Sequence, residues 1–541
     1  MLIEQQHIKE TAATADVAEQ ALPATATEKE TVAVPPETAG GSYFSTQHLK
    51  SDLKGRSARG GMVTFVAQGL KFALTMASTI ILARLLTPQD YGLIGMVAVV
   101  TGFISLFKDL GLSSATVQRA EINHEQISLL FWLNVAASLF IMLLTAAIAP
   151  LVARFYGEPR LAAITVVIAL GFIFGGLTVQ HQALLQRQMR FATLALIDIL
   201  ALAAGPITAI LMALRGFGYW SLVGGQLATG VVTAVGVWLA CGWRPSRPRK
   251  GAGVRSMLAF GGNLTGFGVI NYFARNLDNM LIGRVWGAQQ LGLYAKAYQL
   301  LLLPIDQINS PVTAVAVPTL SRLADEPERY RQAYVRMLEK VCLLTMPGVA
   351  FMLVTSDWCV RLLLGAQWAD SARIFTLLGI AGLIQPVANT TGWLFVSQGR
   401  THHMLRWGLM AGSATIAAIV AGLPWGAIGV AASYSVMSLS LCLTLFWYVG
   451  RSGPVRTLDF YRAMTPAAWA SFCLLATLLI LRYWLGAVKP LAGLLICLGC
   501  GLVVGLLALA VLPAGRGALL DIRELVQLLG FRREMREGDA G

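Results

Sequence analysis

The chain has 541 residues, of which 56% are hydrophobic and 13% are charged, and its formal net charge is +14. Soluble domains carry about 25% charged residues, so this composition excludes an ordinary soluble protein and indicates a polytopic membrane protein. Apolar stretches of about 20 residues, the length that crosses a bilayer as a helix, recur along the chain. The stretches lack the alternation of barrel strands, so the spans are expected to be helical.

Residues 1–58 precede the first long apolar stretch. Residues 1–40 are rich in Ala, Thr, Glu and Pro, a composition that cannot bury enough apolar surface to fold by itself. We find no short apolar core with a small-residue cleavage site, so no signal peptide is expected. The segment is predicted to be a disordered cytoplasmic tail.

Fourteen membrane-spanning helices are predicted from the apolar stretches that follow. The predicted spans are 61–85, 91–110, 128–153, 161–185, 193–214, 218–241, 257–285, 290–318, 341–364, 372–397, 405–423, 426–449, 464–486 and 490–512.

The placement of Lys and Arg tests this topology. With the N-terminus inside, 28 of these residues fall on the cytoplasmic side and 9 on the outer side, which is the bias that correctly threaded membrane proteins show. Both termini are therefore predicted to be cytoplasmic. The net positive charge is explained by topology and anionic lipid, and no nucleic-acid partner is expected.

The outer loops are short, so no large domain on that side is available to hold a catalytic site. In the first of them, "RLLTPQDYG", Thr87 is predicted to cap the second helix. Pro88 suits the first turn of that helix, and Asp90 adds a carboxylate where a helix start favours one.

A weak internal repeat, which we call the internal echo, appears when the sequence is aligned with itself at an offset of 200 residues. The stretch "ARLLTPQDYGLIG" begins at Ala83, and "GRVWGAQQLGLYA" begins at Gly283. Identical residues stand at Arg84 and Arg284, Gln89 and Gln289, Gly92 and Gly292, and Leu93 and Leu293. Both stretches join a helix that leaves the cytoplasm to one that returns, which indicates a parallel duplication.

The duplication predicts two six-helix lobes in residues 59–243 and 257–450, joined by a basic cytoplasmic linker at 244–256. Residues 451–513 are predicted to add two helices, and residues 514–541 form a cytoplasmic tail. Parallel repeats of this kind usually bracket a central substrate path.

Six ionisable residues inside the predicted spans are candidates for function, because a charge costs about 2.5–3.5 kcal/mol at a helix centre. Lys71 and Arg275 lie on equivalent faces of the first helix of each lobe. Arg275 and Asp278 are three residues apart, so mutual neutralisation on one helix is an open alternative. We expect fewer of the acids than of the three cations to be within reach, so that positive charge remains in a cavity and favours an anionic ligand; the Arg fork matches phosphate. The six residues are Lys71, Asp198, Arg275, Asp278, Lys296 and Asp306.

The seven cysteines lie in or beside apolar stretches. The pair "CLGC", Cys497 and Cys500, has the spacing of a redox or metal motif but no second pair or nearby His. We interpret both as small residues facing lipid or the core, so neither a metal site nor a cofactor is expected.

Two stretches, Leu82–Arg119 and Arg275–Ile308, resemble the polysaccharide-transporter flippases of the Wzx/WzxC type. They include "LARLLTPQDYGLIGMVAVV" and "RNLDNMLIGRVWGAQQLGLYAKAYQ". These flippases belong to the multidrug/oligosaccharidyl-lipid/polysaccharide exporter superfamily. The resemblance implies an all-α integral membrane fold of about fourteen helices, with two six-helix lobes in a V and two further C-terminal helices.

The same resemblance implies movement of an undecaprenyl-pyrophosphate-linked oligosaccharide from the inner to the outer leaflet of the bacterial inner membrane. Such transport serves exopolysaccharide, capsule or O-antigen synthesis and breaks no bond, so the protein is expected not to be an enzyme. By that resemblance Arg275 is expected to hold the pyrophosphate, together with Lys71 on the repeat-equivalent face, and we expect Lys296 to assist. Asp278 and Asp306 are candidates for coupling to an ion gradient. Expected partners are the lipid-linked oligosaccharide, membrane lipids, and a polysaccharide polymerase with its co-polymerase.

Two alternatives stay open. A cation-coupled multidrug exporter of the same superfamily would favour carboxylates in the cavity, whereas cations dominate here. A membrane glycosyltransferase or polymerase would need a sizeable outer loop or an acidic motif near the interface, and neither is found.

Overall fold

The computed structural model describes residues 53–106, 122–247, 255–485, 488–512 and 515–517. Within the helices, the side chains of residues 53–66, 255–271, 273 and 274 lie outside this description. In the described residues, every regular element is a helix. The greater part of the predicted N-terminal tail, linker and C-terminal tail lies outside the described residues, and the domain boundaries remain a prediction.

Six helices of the N-terminal half lie in the described part of the chain. The first begins at Leu53, so residues 53–58, which were predicted to belong to the tail, are helical. The fourth is interrupted for one residue at Leu170. The helices are α1 (Leu53–Leu85), α2 (Pro88–Ser105), α3 (His124–Tyr156), α4 (Arg160–Ala169 and Gly171–Arg187), α5 (Phe191–Leu214) and α6 (Trp220–Ala240).

The C-terminal half opens with a long helix, Arg255–Arg322, that breaks at Gly287. Gly287 has φ 79° and ψ −177°, a conformation that only glycine adopts readily. The arms before and after it are α7 and α8. The other helices are α9 (Pro327–Val354), the short helix Ser356–Leu363, α10 (Ala369–Ser397), α11 (Thr401–Gly422), α12 (Gly426–Gly450), α13 (Thr457–Trp484) and α14 (Pro490–Val511).

The predicted fold class is confirmed. Ten stretches of the described helices are long and apolar enough to cross a membrane. They cover predicted spans three to fourteen, because Arg275–Arg322 and Thr401–Gly450 each contain a pair of helices. The helices α1 and α2 correspond to the first two predicted spans.

The predicted start of the ninth span is wrong. The ninth span was predicted to begin at residue 341, but α9 begins at Pro327. Tyr330, Tyr334 and Leu338 are all fully buried and stand four residues apart, so they form an apolar stripe on one side of a helix. The charged residues between them follow the exposed side.

The predicted cap of α2 is confirmed. The backbone N–H of Asp90 donates to Thr87 Oγ1 at 3.3 Å, and the N–H of Thr87 donates to Asp90 Oδ2 at 2.9 Å. This reciprocal capping box satisfies two amides at the start of the helix. It fixes the point at which the chain turns back into the membrane.

The described residues belong to one compact unit in which the helices pack in two groups. In the N-terminal half α1 and α6 pack on α5, and α3 packs on α4. In the C-terminal half α10 packs against the long α7–α8 helix and α12, and α11 packs on α12. The helices α13 and α14 are attached through α9, against which α13 packs. The main contact between the groups joins α2 to the α7–α8 helix.

Corresponding helices of the two halves end in the same turn. The turn that follows α4 contains Met189 with φ 53°, and the turn that follows α10 contains Gly399 with φ 66°. The next amide, of Arg190 or Arg400, donates back to the carbonyl five residues earlier, at 3.0 Å and 2.7 Å. This shared geometry supports the duplication inferred from the echo.

Candidate binding site between the two halves

The residues of the internal echo contact each other. A Cβ atom added to Gly92 of α2 would lie 1.7 Å from the carbonyl oxygen of Ala288. A Cβ atom added to Gly292 of α8 would lie 1.8 Å from the carbonyl oxygen of Pro88. The first turns of α2 and α8 therefore cross in backbone contact, and the two halves make the same contact in reverse.

This contact lies at the end of the molecule that the Lys and Arg distribution assigns to the outside, which we call the outer end. Further hydrogen bonds close it. Gln367 Nε2 donates to the carbonyl oxygens of Ala83 and Leu86 at 2.5 Å and 2.9 Å, and Trp368 Nε1 donates to Ala83 O at 2.7 Å. Arg84 donates to the carbonyl of Leu362. The unsatisfied carbonyls at the end of α1 are thus capped by the C-terminal half.

Arg275 lies on α7, and the neighbours that the structure gives it belong to the C-terminal half. One turn earlier, the hydroxyl of Tyr272 donates to the carbonyl of Val99 in α2 at 2.7 Å. Arg275 is exposed and lies close enough to Asp306 and Tyr434 for their charges to interact. Asp306 is exposed as well.

Asp278 points elsewhere. Its side chain is 7% exposed, and Oδ2 accepts a hydrogen bond from the Tyr294 hydroxyl at 2.8 Å. Its Oδ1 accepts from the backbone N–H of Asn279 at 2.7 Å. Tyr294 stacks on Tyr298 with ring centroids 6.3 Å apart. The carboxylate of Asp278 therefore belongs to a buried polar network inside the C-terminal half.

Lys296 is buried at the contact between the halves. Its Nζ atom donates to Gln299 Oε1 at 2.9 Å and lies 4.0 Å from the ring centroid of Tyr91 in α2. No carboxylate of the described residues lies within ion-pair distance of this ammonium. The site therefore holds a cation close to both halves.

Lys71 is paired with an acid of its own half. Its Nζ atom lies 2.7 Å from Asp198 Oδ2 of α5, and the two side chains are 26% and 44% exposed. The pair lines a cavity of about 400 Å³ together with Gln68 and Gln186. Lys71 thus reaches an open space, but its charge is shared with Asp198.

A second cavity, of about 210 Å³, lies in the C-terminal half between α10, α11 and α12. Gln385, Asn389, Trp407, Tyr434 and Ser438 are among its lining residues. Amides, hydroxyls and aromatic faces of this kind suit sugar rings, which present both hydroxyl groups and an apolar face.

The structure does not bring the five predicted site residues together in one place. Arg275 and Asp306 lie together, Lys296 and Asp278 are buried on either side of the α7–α8 break, and Lys71 lies in the N-terminal half. Sequence reasoning missed Tyr91 and Trp368, whose rings meet edge to face at 5.5 Å. Tyr91 stands inside the echoed motif, next to Gly92, and that position was the available signal.

Comparison with known proteins agrees with this architecture. Over 443 residues the chain is 26% identical to the lipopolysaccharide biosynthesis protein WzxC of Escherichia coli (strain K12), covering 81% of this chain and 89% of that protein. It is 27% identical over 361 residues to the teichuronic acid biosynthesis protein TuaB of Bacillus subtilis (strain 168), covering 63% and 71%.

Among solved structures, the inward closed conformation of the lipid II flippase MurJ superposes with a TM-score of 0.66 at 14% identity. It covers 87% of this chain and all of that one. At that identity the likeness establishes the shared fold. Residues 81–373, more than half of the chain, match the family described as polysaccharide biosynthesis protein. The chain therefore belongs to the polysaccharide biosynthesis protein family of multi-pass membrane proteins.

Proposed function

We propose that this protein is a flippase that moves undecaprenyl-pyrophosphate-linked oligosaccharide units from the inner to the outer leaflet of the bacterial inner membrane. The observation that carries the proposal is the presence of two cations, Lys296 at the contact between the halves and Arg275 one turn along α7 from another contact with the N-terminal half. Arg275 is exposed, and Tyr272, three residues earlier in α7, contacts the N-terminal half. Lys296 is buried beside Tyr91 of that half. Fixed positive charge at such a place suits a diphosphate, which Arg binds through two parallel hydrogen bonds.

The physical task of such a protein is to carry a charged sugar headgroup across hydrocarbon. In our proposal the pyrophosphate meets Arg275 first, with Lys296 deeper in the site. Lys71 takes part only when a phosphate oxygen replaces Asp198 as its partner. The polyprenyl tail stays in lipid, and the halves rock so that the site opens to the other side.

No bond is made or broken in this cycle, and the protein acts as a transporter rather than an enzyme. Coupling to a proton or sodium gradient is assigned to Asp278, which is buried, or to Asp306, which lies near Arg275. Both termini are proposed to be cytoplasmic. The polymerase that consumes the flipped unit, with its co-polymerase, is the proposed protein partner.

Reconstituted vesicles test the proposal. Purified protein is inserted into liposomes that contain a lipid-linked oligosaccharide with a fluorescent headgroup, and the fraction quenched by an impermeant reductant is followed over time. We expect protein-dependent exchange between leaflets that is absent from empty liposomes. Export of a cationic dye without headgroup exchange would support the multidrug-exporter alternative and overturn the proposal.

A further inference from the structure

Lys296 of the C-terminal half lies over the ring of Tyr91 of the N-terminal half. Among the described residues, this is the one place where a lysine of one half contacts an aromatic ring of the other. Tyr91 lies in the first turn of α2, and Lys296 lies in α8. The Nζ atom stands 4.0 Å from the ring centroid, and Lys296 is only 6% exposed. A desolvated cation over an aromatic face is attracted by the ring quadrupole, which corresponds to about three- to thirtyfold in an equilibrium constant.

The ring matters because the ammonium has few other partners. Among the described residues, Gln299 Oε1 is its hydrogen-bond acceptor, at 2.9 Å. A buried ammonium is costly unless it is paired and hydrogen-bonded. Tyr91, which belongs to the other half, therefore supplies much of the attraction that keeps this ammonium at the contact.

The position of Tyr91 is itself fixed by the closed outer end. Its ring meets Trp368 edge to face at 5.5 Å, and Trp368 donates to Ala83 O at 2.7 Å. The next residue, Gly92, is in backbone contact with Ala288. Separation of α2 from α8 would therefore remove the ring from Lys296.

We propose that Tyr91 is a positioning residue for Lys296, which it holds between the halves while the outer end is closed. An anion that binds Lys296 competes with the ring for the ammonium. Because such coupling is reciprocal, occupancy by an anion weakens the outer closure, and opening of the outer end changes the affinity of Lys296 for the anion. This second part rests on the proposed function; the positioning itself does not.

The test reports opening of the outer end without any transport. Ala288, 8% exposed and packed against Gly92, is replaced by Cys in a chain whose Cys359, Cys473 and Cys500 are replaced by Ser. Labelling by an impermeant maleimide then measures the open population, provided that opening and closing are faster than the reaction. Val285→Cys, at a position 56% exposed, is the fully accessible control.

We expect Tyr91→Leu and Lys296→Met each to raise the labelling rate by about three- to thirtyfold. Tyr91→Phe keeps the ring face, so it should label like the parent, and Lys296→Arg should stay within about twofold of the parent because it keeps the charge. The double variant Tyr91→Leu/Lys296→Met should label no faster than the faster single variant, because both remove one interaction.

Equal rates for Tyr91→Leu and Tyr91→Phe would overturn the proposal, as would multiplication of the two single effects in the double variant. If Tyr91→Leu does not fold, the labelling rates of Lys296→Met and Lys296→Arg are compared instead, and equal rates for these two variants contradict the proposal.

Inorganic pyrophosphate should raise the labelling rate of the parent but not that of Lys296→Met. No rise in the parent contradicts the proposed competition between the anion and the ring of Tyr91 for Lys296. Absence of lipid exchange by the parent would refute the flippase proposal and leave these rates interpretable.

Discussion

Gly92 and Gly292, two hundred residues apart in the chain, lie on the two sides of one contact. Each faces a backbone carbonyl of the opposite helix at a distance that leaves no room for a Cβ atom. Gly92 abuts residue 288, and Gly292 abuts residue 88, so the contact repeats itself with the halves exchanged. Close approach of helix backbones through small residues is the usual basis of tight helix packing in membranes.

Alanine at either glycine should force α2 and α8 apart. We predict that Gly92→Ala and Gly292→Ala each destabilise the protein by about 1–3 kcal/mol, the cost of overpacking, and raise the labelling of Ala288→Cys. Gly348→Ala and Gly392→Ala are matched controls, because neither Cβ would meet an atom within 4 Å. In the interior of a helix such changes are neutral or stabilising. Thermal unfolding in detergent measures all four, and equal midpoints for Gly92→Ala and Gly348→Ala would disprove the contact.

The ion pair between Lys71 and Asp198 separates a structural role of Lys71 from a binding role. Lys71→Met leaves Asp198 without its partner, whereas Lys71→Met/Asp198→Asn removes both charges. We predict that the double variant recovers the stability of the parent, since an unpaired charge is worse than none. Its transport rate should stay about tenfold below that of the parent, because one charge-assisted bond to the headgroup is lost. Recovery of transport together with stability would show that Lys71 only supports the fold.

Met189 holds a left-handed backbone conformation, φ 53°, where the equivalent turn of the other half has Gly399. A side chain in this region costs about 1–2 kcal/mol. We predict that Met189→Gly raises the stability of the protein and that Gly399→Ala lowers it, each by about 1 kcal/mol. Opposite shifts of the unfolding midpoint confirm the shared turn. Shifts in the same direction would refute the equivalence of the two halves at this point.

Hydropathy and charge predicted the helices because membrane-spanning segments must satisfy their backbone internally and carry a recognisable charge bias at their ends. The cap formed by Thr87 and Asp90 was predictable because capping is local. The start of α9 at Pro327 was not, because its apolar stripe of Tyr330 and Tyr334 is amphipathic rather than continuously apolar. A rule that searches for long apolar stretches passes over it.

The contacts between residues of the site could not be predicted from the sequence, for a different reason. Lys71 and Asp198 are 127 residues apart in the chain, and Tyr91 meets Lys296 across the two halves. The echo showed that the stretches around Gly92 and Gly292 are equivalent. Equivalence alone does not say that equivalent stretches contact each other, which depends on how the halves are docked.

Fixed positive charge near the contact between the halves is proposed to hold an anionic lipid carrier, and Arg275 is the residue on which this proposal depends most. The most direct test is the rate of headgroup exchange in reconstituted vesicles for the parent, Arg275→Lys and Arg275→Ala. We predict that Arg275→Ala lowers the exchange rate at least tenfold, since a bidentate charge-assisted contact to the headgroup disappears, and that Arg275→Lys retains an intermediate rate. Exchange by Arg275→Ala at the rate of the parent would contradict the account.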